Sequence, residues 1–339
     1  MSDADWVVAV GPGRVNLIGD HTDYAGGLVL PMAIDLATTV TGRRGGDLVE
    51  LTSVTEPEAA VVPLDVEDPA AVVPTWARYV AGVVHELRPR QGFSGTISTT
   101  LPVGAGLSSS AALEVAVALA LGFDGPPLTL AQLTQRAEQV ASGVPCGIMD
   151  QLASAAGVEG SALLIDCHAL SVEPVPIPAE VEVRVIHSGQ PRQLAGSAYA
   201  ERRASVEAAE EVVGPLRLLV GANGTDGLRA IDDDLLRRRA RHVVTENARV
   251  RRFASALRAG DLEAAGRAMV ESHASLRDDF EVSTPVLDAL VERLVGTAGV
   301  HGARLTGAGF GGCVVALSDP GAIDEGWLVR AAAGARVTS

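Results

Sequence analysis

The chain has 339 residues, 47% of them hydrophobic, and carries 42 acidic residues against 27 basic ones, a net charge of −15. That length suits two domains sharing a cleft better than one core, and the acidic balance excludes nucleic acid as an expected partner. Every basic residue counted is arginine: lysine is absent, which rules out Walker A, protein-kinase and Schiff-base chemistry.

Val7–Val10 reads as a short strand ending at Gly11-Pro12-Gly13, and Thr38–Thr41 and Leu48–Ser53 alternate like strands. Trp76–Leu87 reads as a helix closed by Pro89. Phe93–Leu101 reads as a strand feeding a glycine- and serine-rich loop, followed by an apolar helix at Ala111–Leu121. Leu130–Ser142 and Met149–Ala156 read as helices, broken by Gly143 and Gly157, and Ser161–Cys167 as a strand. Glu173–Glu180 holds three prolines and no periodicity, so it is the expected domain junction, dividing residues 1–176 from 177–339. The second half opens with strand Val181–His187. Helices follow at Tyr199–Val213, Asp233–Ala259, Asp261–Leu276 and Thr284–Val295, with Gly260 as a C-cap. Strands Gly302–Thr306 and Cys313–Leu317 flank the loop Gly307–Gly312. The pattern predicts an α+β protein of two domains with mixed sheets and helices. Cys146, Cys167 and Cys313 lack metal spacing and cannot pair completely, and no secretory leader is read, so a cytoplasmic protein is expected. The apolar run at Ala111–Leu121 is too short to span a bilayer.

Four segments carry candidate chemistry. Leu101–Ala112 places Gly104, Gly106, Leu107 and Ser108-Ser109-Ser110 just before a helix start at Ala111. Glycines let backbone N–H groups approach an anion, and the helix turns its positive end to the same spot. A serine N-cap would need only one of those hydroxyls. Gly13–Gly27 crowds Arg14, Asp20, His21, Asp23 and Tyr24 into one irregular segment. It suits a polyhydroxylated ligand, or equally a surface turn held by local Asx bonds. Glu138 and the run Pro145–Gln151, with Gly147 and Asp150, are the third. Alone, Asp150 reads as an N-cap and Glu138 as a solvated helix position. The loop Gly307–Gly312 is a weak signal by itself.

In this order, the four segments resemble the motifs of the GHMP small-molecule kinases and, within them, of the galactokinases. Further matches are Trp76–Val80, Leu164–Cys167, Ser197-Ala198-Tyr199 with Arg202-Arg203, Arg239–Asn247, Glu271-Ser272-His273 and Leu276–Asp279. The resemblance runs from about Val8 to about Val315 and implies a fold with its active site in the cleft between the domains. It implies ATP and Mg²⁺ as cofactors, and transfer of phosphate to the anomeric hydroxyl of a galactose-type sugar. Asp150 would act as base with Arg14 beside it. Asp20, His21, Asp23, Gly147 and Tyr199 would line the sugar pocket. Ser110 and Glu138 would hold Mg²⁺. Gly104, Gly106, Leu107, Ser108, Ser109, Ser110 and Ala111 would wrap the ATP phosphates. Trp76 would lie near adenine, or serve as a half-buried core residue. The implied partners are small molecules only, with no membrane and a monomer or weak homodimer.

Two features depart from the family pattern. Galactokinases carry Glu where this chain has Asp20, one C–C bond shorter, a retreat of roughly 1.5 Å. That suggests an enlarged pocket end and a galacto-sugar extended or modified at C6 as an alternative substrate. A helix usual in the family is missing between Asp319 and Gly326, with Trp327–Val337 left to supply the last strand. A non-catalytic sugar sensor is the other alternative. Such sensors lack residues of the serine loop, and Ser108–Ala112 is complete here. Mevalonate- and homoserine-type kinases share the ATP loops but not Asp20-His21-Thr22-Asp23-Tyr24.

Overall fold

The computed structural model describes residues 6–102, 104–190, 195–219 and 224–338. Val103 of the serine loop and the side chain of Ser197 lie outside the described residues. The first half runs β1 (Trp6–Asn16), β2 (Leu28–Val29), β3 (Pro31–Arg44), β4 (Leu48–Ser53), β5 (Ala60–Pro63), α1 (Ala77–Leu87), β6 (Phe93–Thr99), α2 (Ser109–Ala120), α3 (Pro127–Ser142), α4 (Met149–Ala156), β7 (Ser161–Asp166) and β8 (Ser171–Pro176). The second runs β9 (Glu182–His187), α5 (Ala195–Val213), α6 (Gly224–Gly227), α7 (Asp234–Ala259), α8 (Leu262–Asp278), α9 (Pro285–Val295), β10 (Val300–Thr306), β11 (Cys313–Ser318), β12 (Trp327–Val329) and β13 (Arg336–Thr338). The strands form sheets of order β13-β1-β3-β6-β4-β5, β10-β11-β9-β12 and β2-β7-β8. All pairings are antiparallel except β4 with β6.

Gly11-Pro12-Gly13 does not end β1, contrary to the expectation from sequence. The strand continues to Asn16 against β3, with a register shift between Pro12 and Arg14. The glycines serve close approach instead. A Cβ on Gly11 would lie 2.2 Å from the Ala112 carbonyl oxygen, and one on Gly13 would lie 2.7 Å from that of Leu107. Helix α2 therefore lies directly on β1, and the Arg14 N–H donates to Leu107 O at 3.1 Å. Two small residues thus set the serine loop against the arginine of the sugar segment.

The proline-rich stretch after residue 172 is also more ordered than its composition suggests. Ser171–Pro176 is strand β8, paired with β7 from Ser161↔Pro176 to Asp166↔Ser171. It is the edge of its sheet, where a proline's missing N–H costs no ladder bond. The last expected strand is in fact two. Trp327–Val329 pairs with β9, and Arg336–Thr338 pairs with Val8–Val10 of β1, so the chain's end returns to the first sheet. No helix occurs between Asp319 and Gly326.

One apolar core packs the first sheet against α1–α4, through Val40, Phe93 and Ile97 on strands and Val80, Val84, Val115 and Leu130 on helices. A second core spans both halves. It joins Val15, Leu17 and Met32 to Leu107 of the serine loop, Val250 and Phe253 of α7, and Val315 of β11. A buried side chain of this size stabilises by roughly 1.5–3 kcal/mol, so this shared core fixes the cleft walls relative to one another. Among the described residues no helix is long and apolar enough to cross a membrane.

Candidate active site

Arg14 leaves β1 beyond the register shift and is 6% exposed. Its guanidinium grips Asp150 with two bonds, Nε to Oδ1 at 2.7 Å and Nη2 to Oδ2 at 2.6 Å, and its Nη1 donates to Gly106 O at 2.9 Å. Ser108 Oγ adds a third bond to Asp150 Oδ2 at 2.5 Å. Neither side chain caps a helix: Ser108 holds the N-cap position of α2, whereas the N-cap of α4 is Ile148 and not Asp150 as the sequence alone suggested. Ser108 precedes α2 yet makes no cap bond, and it sits in left-handed backbone at φ 57°. A non-glycine residue held there marks a site where surrounding contacts over-determine the backbone. Asp150 stands in the first turn of α4 with its carboxylate turned to Arg14 and Ser108.

Next to this pair, Ser110 Oγ in the first turn of α2 donates to Glu138 Oε1 of α3 at 2.8 Å. Gln151 Nε2, on α4, donates to Glu138 Oε2. Burial, then the neighbouring Asp150, pushes the Glu138 carboxyl up from its usual value. A hydroxyl beside a carboxylate is a hard-oxygen pair that leaves room for water and phosphate oxygens, which is what Mg²⁺ takes. The residues present therefore fit that ion.

The segment after Asn16 closes the far end. The His21 ring is buried, and burial lowers it to about 4, so it is neutral at pH 7. Its Nε2 donates to Ala308 O at 3.2 Å, since a carbonyl can only accept, and Nδ1 then accepts from the Tyr24 hydroxyl at 3.1 Å. Tyr199 of α5 stacks 5.6 Å from His21 and edge-on to Tyr24 at 5.5 Å. Asp23 opens onto the cavity. Burial first, then Asp150, raises its carboxyl to about 7. Gly147 leaves room for Asp23: a Cβ there would lie 1.8 Å from Asp23 Oδ2 and push that carboxylate away.

Asp20, 2% exposed, is held on both oxygens. Oδ2 accepts from Arg304 Nη2 at 2.5 Å and Oδ1 from the Gly307 N–H at 3.0 Å. Arg304 is completely buried and also donates to Asn16 O, Leu17 O and Ser272 Oγ. Helix α7 fastens the rest of the segment. His242 Nε2 donates to Asp20 O, Glu246 Oε1 accepts from the Gly19 N–H, and Asn247 Oδ1 accepts from the Leu28 N–H. Glu246 is fully buried, but Arg249 leads the charges that hold it down to about 2.

A cavity of about 720 Å³ joins these parts. It is lined by Arg14, Asp20, His21, Asp23, Gly104, Gly106, Ser108, Ser109, Ser110, Glu138, Gly147, Asp150 and Tyr199. Leu107 and Ala111 lie buried behind that wall, at 2% and 0% exposure. Trp76 is not brought to it. Its indole N–H donates to Glu58 O at 3.2 Å and its ring packs on the first core. Tyr79, one turn further along α1, lines the cavity instead, together with His187, Gly307 and Ala308. Sequence reasoning did not single out Tyr79, His187 or Arg304 as site residues. Position i+3 from Trp76 was the available signal for Tyr79; a lone arginine in an apolar strand was the one for Arg304.

Comparison with known proteins agrees. Residues 2–44 match the galactokinase galactose-binding signature, 78–158 the GHMP kinase N-terminal domain and 253–330 the GHMP kinase C-terminal domain. The chain is 44% identical to human galactokinase over 326 residues, 92% of this chain and 83% of that protein. It is 45% identical to the galactokinase of Roseiflexus sp. over 336 residues, 94% and 85% of the two chains. The crystal structure of Lactococcus lactis galactokinase complexed with galactose superposes with a TM-score of 0.91 at 34% identity, covering 98% of this chain and 95% of that one. Methanococcus jannaschii mevalonate kinase shares the fold at a TM-score of 0.64 and 20% identity, covering 94% and 92%. Nothing among these relatives supports the C6-extended substrate or the non-catalytic sensor. With a two-domain GHMP architecture and an arginine-clamped aspartate between serine loop and sugar segment, the chain belongs to the galactokinase family.

Proposed function

We infer that the protein transfers the terminal phosphoryl group of ATP to the C1 hydroxyl of galactose, giving galactose 1-phosphate and ADP. The observation that carries this reading is the Asp150 carboxylate, fixed by three donors where the serine loop meets the sugar segment. Asp150 takes the C1 hydroxyl proton as the oxygen attacks the γ-phosphorus, and ADP leaves with the broken bond's electrons. Arg14 holds the carboxylate in one orientation throughout, which is positioning rather than covalent help. Asp23, with the Asp20–His21 end of the pocket and Tyr199, receives the sugar's other hydroxyls. The amides from Gly104 to Ala111 and the start of α2 meet the phosphates that a Walker lysine meets elsewhere. Ser110 and Glu138 would hold Mg²⁺, which would supply charge neutralisation on those phosphates.

A monomer or weak homodimer is taken as the working state. We place the protein in the cytoplasm, on three cysteines that lack metal spacing and cannot pair completely. A panel of reducing sugars with ATP and Mg²⁺, read as sugar 1-phosphate and ADP, tests the assignment. Galactose is expected to be the best acceptor. ADP release independent of any sugar would refute it.

A further inference from the structure

His187 ends β9 and lines the cavity beside Gly307 and Ala308, with no assigned part in the reaction. The ring is half-buried, and its Nδ1 accepts from the Gly189 N–H at 3.0 Å. A backbone amide can only donate, so Nδ1 carries the lone pair and the imidazole proton sits on Nε2. Nε2 has no hydrogen-bond partner among the described residues and is open to solvent. The other basic side chains that line the cavity, among the described residues, are engaged. Arg14 donates to Asp150 and to Gly106 O, and His21 uses both ring nitrogens, on Ala308 O and the Tyr24 hydroxyl. Strand register places His187 near the reacting groups. Cys313 of β11 pairs with Thr306 on one side and with His187 on the other, so the three share a row about 10 Å wide. Thr306 Oγ1 donates to Asn16 O at the end of β1, two residues past the arginine that clamps Asp150. The serine loop, Glu138 and Asp150 line the cavity from the first half of the chain, and His187 lines it from the second. Tyr199 and Ala308 turn to His21 at the sugar end, whereas His187 bonds to nothing in the sugar segment.

We propose that His187 is a catalytic residue: its Nε2–H donates to an oxygen of the phosphoryl group while that group passes from ADP to the sugar oxygen. No covalent bond forms on the ring and no proton leaves it. In phosphoryl transfer the charge spreads over three equatorial oxygens, and catalysis lies in donors already aimed at them. The serine-loop amides approach from one wall, and the chain has no lysine to meet the group from another. His187 supplies that second-wall donor, with its ring held by the Gly189 bond. The inference rests on the reading of this cavity as the place where phosphate passes to galactose.

The test compares native enzyme with His187→Phe, which keeps a ring but no donor, and His187→Gln, whose amide nitrogen lies as many bonds from Cβ as the ring Nε2. Two quantities are read: the single-turnover rate of galactose 1-phosphate formation, and galactose affinity by calorimetry. A hydrogen bond to a charged group, lost from the transition state, corresponds to about 10- to 150-fold in rate. His187→Phe is expected to slow transfer by that factor while binding galactose as the native enzyme does. His187→Gln is expected to recover most of the rate. A native rate in His187→Phe overturns the proposal, as does one in His187→Leu if the Phe variant fails to fold. Equal slowing in His187→Gln and His187→Phe overturns it too, since the ring would then act through packing. Weakened galactose affinity in His187→Phe, whatever the rate, would assign the ring to a sugar hydroxyl instead and also overturns it. If the native enzyme makes no galactose 1-phosphate, the assigned reaction fails and the proposal falls with it; a native rate in both variants refutes only the role of His187.

Discussion

Gly147→Ala isolates the sugar end of the pocket without touching a charged group. The added Cβ would sit 1.8 Å from Asp23 Oδ2, and ordinary contact begins near 3.4 Å, so Asp23 must retreat by about 1.6 Å. A hydrogen bond between Asp23 and a sugar hydroxyl does not survive that displacement. Such a bond to a charged acceptor contributes about 1.5–3 kcal/mol, or about 10- to 150-fold in affinity. Backbone strain adds nothing, since Gly147 is not among the residues at positive φ. The expected result is a galactose KM raised by that factor, with the KM for ATP unchanged and little loss of thermal stability. Because Gly147 acts through Asp23, the double variant Asp23→Asn/Gly147→Ala is expected to match Asp23→Asn alone, well short of additive. A native galactose KM in Gly147→Ala, or full additivity in the double variant, would refute the reasoning.

The raised Asp23 carboxyl makes sugar capture pH-dependent. Below about 7 it is protonated in the folded enzyme, so kcat/KM for galactose is expected to fall toward about tenfold per pH unit of acidification. The stability sign is opposite. The folded value exceeds the unfolded 3.8, so stability present below 3.8 is lost as pH rises to about 7; Asp23→Asn melts at a higher temperature than native at pH 8, and a lower one there counts against it. Ser108→Ala removes the 2.5 Å bond to Asp150, and kcat is expected to fall by about tenfold or more with galactose binding retained; unchanged kcat would make that bond incidental. Arg304→Met strands the Asp20 carboxylate, a loss of about 3–5 kcal/mol when a buried pair is broken. Asp20→Asn in the same chain is expected to restore most of the melting temperature, and failure to do so would point to packing rather than charge.

The chemistry of the site was legible because it is local. Gly104 through Ser110 puts turn, hydroxyls and helix start in one short run, and Asp20 through Tyr24 crowds polar groups where no core can use them. The long helices from 234 to 295 were equally readable, divided at Gly260, and the structure caps them with Asp233, Asp261 and Thr284, each accepting a backbone N–H at a helix start. What sequence did not disclose depends on partners distant in the chain. Glycine and proline at 11–13 read as a strand end, yet β1 runs through them, and α2 requires Gly11 small as the serine loop requires Gly13. The prolines of β8 read as an aperiodic domain junction, and their pairing with β7 at a sheet edge was not legible there. Asp20 read as a carboxylate too short for its task, and the structure ties both its oxygens to Arg304 and Gly307, some 284 and 287 positions away. Trp76 and Tyr79 share one helix, and only the packing of α1 decides which of them faces the cavity.

Turnover of Asp150→Asn against native enzyme bears most directly on the reaction, measured as ADP release alongside galactose binding by calorimetry. With proton transfer to Asp150 carrying the step, kcat falls by about 10²–10⁴-fold while galactose still binds and the protein still folds. Near-native turnover in that variant would contradict a base at position 150 and leave Arg14 and the metal to carry the step electrostatically.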